Sequence, residues 1–202
     1  MQKASVIEYD VPSLLERTQS TLALDVQIFL AHSLAKAVLQ FHATPWMANE
    51  WRLKDFAFFQ ADNEEISQSV QTMHMTAKFQ DQTDLNCPTS SPNLDSPDTS
   101  DAQYLYGVPN LILFSLGVAL LEIGHKQPLE VYQKDRDPNL TVTARRLAQL
   151  PSALGQKYQL LAQRCLRCDF GHGSELDKEE LQIAVYNDVV LPLSDILEAL
   201  RI

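Results

Sequence analysis

One stretch constrains this chain more than any other: Asn110-Leu-Ile-Leu-Phe-Ser-Leu-Gly-Val-Ala-Leu-Leu-Glu-Ile-Gly124. A surface helix shows one apolar stripe, whereas this segment carries Leu111, Ile112, Leu113, Phe114, Leu116, Val118, Leu120, Leu121 and Ile123 all round its circumference, so protein must surround it on most faces. Pro109 and Asn110 suit its start, and Gly124 suits a left-handed residue that ends a helix. At about 1.5 Å per residue it spans roughly 20 Å, the width of a small domain and too short for a bilayer. A central buried helix in a mainly α domain is the expected architecture.

Composition supports one core. The chain has 202 residues, 45% of them hydrophobic, enough for a single domain over 1–202 with one long insertion. Sixteen Lys and Arg face 26 Asp and Glu, a net charge of −10, and no basic cluster exists beyond Arg145-Arg146, which argues against a surface that tracks nucleic-acid phosphates. The N-terminus lacks an apolar signal core and no run reaches membrane-spanning length, so no membrane partner and a cytoplasmic location are expected. Cys87, Cys165 and Cys168 form an odd count without framework spacing, which fits free thiols in a reducing compartment.

Val6 to Arg17 reads as a short strand leading through Asp10 and Pro12 into a short helix. A stronger helix runs from about Leu22 to His42, with Val26, Leu30, Leu34 and Val38 at i, i+4 spacing. Thr21 and Asp25 suit its start and Thr44-Pro45 its stop, while His32, Ser33, Lys36 and Gln40 fall on its outer side. An aromatic region follows, Ala43 to Trp51, and then a short strand in Arg52 to Phe59. Trp46 and Trp51 suit either a ligand platform or, more commonly for large aromatics beside a strand, the core.

From Gln60 to about Gln103 the composition turns polar. The part from Cys87 to Asp101 cannot bury enough apolar surface to offset its ordering entropy, so a mobile insertion is expected at about 80–103. Ser91-Pro92 and Ser96-Pro97 read as proline-directed phosphosites or as a tolerated surface insertion. Beyond the central helix, three more are expected: Thr141 to Leu150, one opened by Pro151 and running to about Cys168, and one from Asp177 to Val190 that Pro192 ends.

The order of these pieces resembles the C-terminal lobe of a protein kinase. A long helix ends in Leu39-Gln-Phe-His42, an aromatic loop and strand follow, and Phe114-Ser-Leu-Gly-Val-Ala-Leu-Leu-Glu122 matches the buried Ser-Leu-Gly-Val-x-Leu-x-Glu helix of that lobe. Gly124-His-Lys-Gln-Pro-Leu129 is similar to the Gly-x-x-Pro-Phe turn after it, and Cys165-Leu-Arg-Cys-Asp169 to a later Cys-Leu-x-x-Asp-Pro segment. A closer resemblance is to a fungal kinase-like family of unknown function, often found behind helical prion-inhibition and HeLo-type domains. Leu30 to Trp46, Trp51, Asp55 to Phe58, Leu116 to Glu122 and Tyr186 to Val190 carry it.

That resemblance implies a C-lobe-like helical domain with a short β element and no N-lobe. Phosphoryl transfer needs an Asp to take the hydroxyl proton, an Asn and an Asp for magnesium, and a Lys for phosphates. Ala43-Thr-Pro-Trp46 stands where His-Arg-Asp belongs, and Ile112 replaces the Asp that opens the kinase helix. The literal Asp169-Phe170-Gly171 follows the central helix instead of preceding it. No catalytic residue and no cofactor are expected.

The implied function is a catalytically inactive interaction or regulatory module, in fungal self-recognition or signalling, that pairs with a protein partner or with itself. Trp46, Met47, Trp51, Phe56 and Phe58 are its interface candidates, because an N-lobe would cover their edge in a full kinase. Two alternatives stay open: an atypical nucleotide-binding phosphotransferase using Asp55, His42 or Asp62, and a metal-bound structural subunit on Cys165, Cys168 and His172, a set that lacks the fourth ligand of a closed zinc site.

Overall fold

The computed structural model describes residues 6–18, 21–62, 64–76 and 105–200. The expected insertion at 80–103, with Cys87, Ser91 and Ser96, lies outside the described residues. The fold is mainly helical with a small antiparallel sheet.

β1 (Val6–Asp10) feeds straight into α1 (Val11–Arg17). The Asp10 carboxylate accepts the Ser13 N–H at 2.7 Å, and Pro12 needs no hydrogen-bond partner in the first turn, so this start follows from local chemistry alone. α2 (Leu24–Phe41) buries Val26, Leu30, Leu34 and Val38, the expected stripe. Its N-cap is Ala23 without a side-chain bond, so Thr21 is not the cap.

A 3-10 turn (Leu53–Asp55) leads into β2 (Phe56–Ala61), later than the strand start expected at Arg52. β2 lies between β1 and β3 (His74–Met75), with Glu8 opposite Phe59 and Ala57 opposite His74. Between β2 and β3, α3 (Ile66–Ser69) and a 3-10 turn (Val70–Thr72) occupy a stretch whose polar composition gave no sign of them.

α4 (Leu111–His125) is the predicted central helix, and every residue from Leu111 to Gly124 except Phe114 is buried. Asn110 caps it, its side chain accepting the Leu113 N–H at 2.8 Å. The left-handed residue at the far end is Lys126, φ 57°, and Gly124 is instead a packing residue. A Cβ on Gly124 would sit 3.1 Å from the Tyr158 ring, and one on Gly117 would sit 2.7–2.9 Å from Leu166, backbone nitrogen included. The two glycines let α6 (Gly155–Arg167) lie against α4, where the Tyr158 hydroxyl donates to Leu120 O at 2.8 Å. Among the described residues, no helix is long and apolar enough to cross a membrane.

α5 (Leu140–Leu147) starts at the Asn139 cap, which accepts the Val142 N–H. α6 starts at Gly155, four residues after the Pro151 expected to open it.

α7 (Glu179–Val185) runs without a break through a wider turn (Tyr186–Val190) into α8 (Leu191–Leu200). Pro192 was expected to stop this helix and does not. The Leu191 N–H reaches back five residues to Tyr186 O, so the ladder is already opened into a π turn beside the proline, which has no N–H to donate. Asp177, expected as its N-cap, is exposed, and Lys178 takes the cap position without a side-chain bond.

Candidate functional site

The loop after α2 closes the helix. His42 Nδ1 lies 3.0 Å from Leu39 O and so donates to it, which leaves Nε2 to accept from Gln182 Nε2 at 3.3 Å. Thr44 donates twice to Phe41 O, from its backbone at 2.9 Å and from its hydroxyl at 2.7 Å. Both polar side chains are engaged in ending α2.

The aromatic residues beyond it divide sharply. Trp46 is 57% exposed, whereas Met47, Trp51, Phe56 and Phe58 are all buried in the core. Four of the five interface candidates are therefore corrected to core residues. Trp51 meets Phe56 edge to face at 5.4 Å, and Phe58 lies 6.1 Å from Tyr9, so the strand and its neighbours enclose them.

Asp55 does not stand free either. Its carboxylate accepts the Arg52 N–H at 2.8 Å, closing the turn before β2, while Asp62 is exposed at the end of that strand.

Asp169-Phe170-Gly171 is the end of α6. Cys168 is left-handed (φ 53°), the Asp169 N–H bonds Arg164 O at 3.1 Å, and Phe170 is buried. Six-residue closure of this kind satisfies the last carbonyls of a helix. Cys165 and Cys168 are buried free thiols. Burial pushes both pKa values up, and Cys168 Sγ points to Gly173 O at 3.7 Å. A thiol held protonated is a poor metal ligand. His172 is exposed, and the described residues contain no group of three or more His, Cys, Asp and Glu arranged for a metal.

Two polar clusters and a groove gave no sequence signal. Asp137 receives Arg146 Nη2 at 2.5 Å, Arg146 Nε at 3.1 Å, the Lys134 N–H at 3.1 Å and the Thr143 hydroxyl at 3.2 Å. Arg146 also donates to Tyr132 O at 2.6 Å. The Arg146 hydrogen bonds hold the Asp137 carboxyl down at about 2. A depressed carboxylate contributes stability above its unfolded pKa and loses it as pH falls through the folded one. The difference in melting temperature between wild type and Asp137→Asn is expected to be constant near neutrality and to shrink between about pH 4 and pH 2. A difference that persists unchanged below that window would show the pair to be irrelevant to acid stability.

Across the sheet, His74 Nε2 meets Glu8 Oε1 at 2.9 Å and Nδ1 meets Thr72 O at 3.0 Å, with the ring stacked on Phe59. Burial alone would lower the His74 pKa, but these two hydrogen bonds outweigh it and hold it raised. His74 also borders a groove of about 190 Å³ between α2 and β3, lined by Phe29, Ala37 and Phe41 on one side and Met73 and Met75 on the other.

Comparison with curated proteins and with solved structures finds no match to this chain. The family model described as Domain of unknown function (DUF7580) matches residues 8–199, and the chain belongs to that family.

Proposed function

We propose that this protein is a catalytically inactive, kinase-like module that works by binding other polypeptides. The observation that carries the reading is the use made of its kinase-reminiscent residues. Thr44 and His42 end α2, Asp55 closes the turn before β2, and Asp169 closes α6. In a phosphotransferase, groups in the corresponding roles project toward substrate, nucleotide and magnesium. Here the His42, Thr44 and Asp55 side chains are engaged in hydrogen bonds to the backbone, and Asp169 contributes its N–H to the end of α6. Fungal self-recognition or signalling is the setting that the sequence resemblance suggests, and two buried free thiols fit a reducing, cytoplasmic environment.

Neither the wild type nor Asp169→Ala is expected to transfer phosphate from ATP to a generic acceptor in the presence of magnesium. Magnesium-dependent transfer that disappears in Asp169→Ala would overturn the reading. For the binding role, Trp46 is the interface candidate that keeps its exposure. Sedimentation of wild type against Trp46→Glu should show weaker self-association in the variant at an unchanged melting temperature. A wild type that stays monomeric at high concentration would remove the homodimer from this proposal.

A further inference from the structure

His74 and Glu8 stand on the two outer strands of the sheet, with β2 between them. Glu8 lies opposite Phe59 and His74 opposite Ala57, so all four side chains share one face of the sheet. Across that face Glu8 Oε1 reaches His74 Nε2 at 2.9 Å. The imidazole lies face to face on the Phe59 ring, centroids 4.7 Å apart and planes 19° apart, and its other nitrogen, Nδ1, is 3.0 Å from Thr72 O.

Both of those oxygens only accept. A neutral imidazole carries one N–H and one lone pair, so one of its two contacts would set a lone pair against an oxygen, whereas the imidazolium donates at both. The stack on Phe59 favours the same form, because a cation is attracted to an aromatic face. Among the described residues the charge that acts on the ring is that of Glu8. The turn before β3 presents Gln71 and Thr72, and across the groove α2 presents Phe29, Ser33, Ala37, Gln40 and Phe41, none of which titrates.

β3 depends on such help. It has two residues and pairs with β2 at Phe56 and Ala57, well short of an ordinary strand. Met73 and Met75, on either side of His74, form one wall of the groove against α2. We propose that His74 is a proton-operated clip: charged, it ties β1 and the turn before β3 together across β2, and neutral, it gives up one of its two oxygens, so that β3 and its wall of the groove loosen. Burial works against the charge on His74, but the bonds to Thr72 and Glu8 outweigh it and hold the pKa above the ordinary 6.5. A raised pKa contributes stability that is complete below the unfolded value and is lost as pH rises through the folded one. The clip is therefore closed in mildly acid solution and opens on the alkaline side.

The test follows the His74 ring and the backbone amides of the purified full chain by NMR from about pH 5 to pH 9, across the imidazole range. The ring should titrate at a higher pH in the folded chain than in the same chain unfolded in urea. Glu8→Gln, which keeps an acceptor but removes the charge, should lower the folded midpoint. Amide exchange, corrected for its intrinsic dependence on pH, reads the clip itself. The Thr76 N–H on Asp55 O and the Phe59 N–H on the Thr72 hydroxyl should lose protection by roughly three- to tenfold as the ring loses its proton, the span of one net hydrogen bond. In His74→Gln both amides should lose that response while the spectrum stays folded. A ring that titrates at or below its unfolded midpoint, a midpoint unmoved by Glu8→Gln, or protection that ignores the titration or keeps the same response in His74→Gln would overturn the proposal.

Discussion

Leu120→Ala and Leu116→Ala are each expected to lower unfolding free energy by about 2–5 kcal/mol, measured by denaturant titration. Both side chains are wholly inaccessible on α4. Truncation removes their transfer free energy, and the space left cannot collapse easily. On one side α6 is already in contact through Gly117, where a Cβ would collide with Leu166, and through Gly124, where one would press on Tyr158. Leu120 has a second reason to be intolerant, because its carbonyl holds the Tyr158 hydroxyl at 2.8 Å, and movement of the helix to fill the void would strain that bond. Midpoints equal to wild type would mean that α4 is not the centre of the core.

Trp51→Ala should cost about 3–5 kcal/mol, the range for deleting a large buried aromatic side chain. Trp51 is 1% exposed and packs on Phe56 at the start of β2. Its indole nitrogen has no partner among the described residues, so its place is set by ring packing, and Trp51→Phe should recover much of the loss. The contrast with Trp46 is the informative measurement. Trp46→Glu should leave stability nearly unchanged, whereas Met47→Glu one residue later buries a charge and should unfold the protein. If Trp51→Ala melts like wild type, the aromatic loop packs differently from the arrangement described here.

Much of the helical skeleton was legible in the chain because its signals are local. Asn110 ahead of an all-round apolar run, Asp10 and Pro12 ahead of Leu14 and Leu15, and the i, i+4 stripe of α2 each act within one or two turns of helix. The candidate site was legible only in part. Aromatic residues in an irregular loop carry no periodicity, so nothing in Trp46 to Phe58 says which rings face inward. The polar stretch after β2 hid α3 and β3, and with them the groove lined by Met73 and Met75, because elements of two to four residues produce no repeat to read.

The sequence by itself determined a mainly α protein with one almost wholly buried helix and a net charge of −10, since residue type and short-range spacing suffice for each. The tertiary structure alone decided the rest. It turned Gly124 from a helix end into a seat for Tyr158, carried the last helix past Pro192 through a π turn, and closed α6 with Asp169. It also sent Trp51 inward while leaving Trp46 more than half exposed. Each of those outcomes depends on a partner distant in the chain or on a choice between nearly equal local conformations, and close packing of the assembled core, which no local pattern encodes, makes that choice.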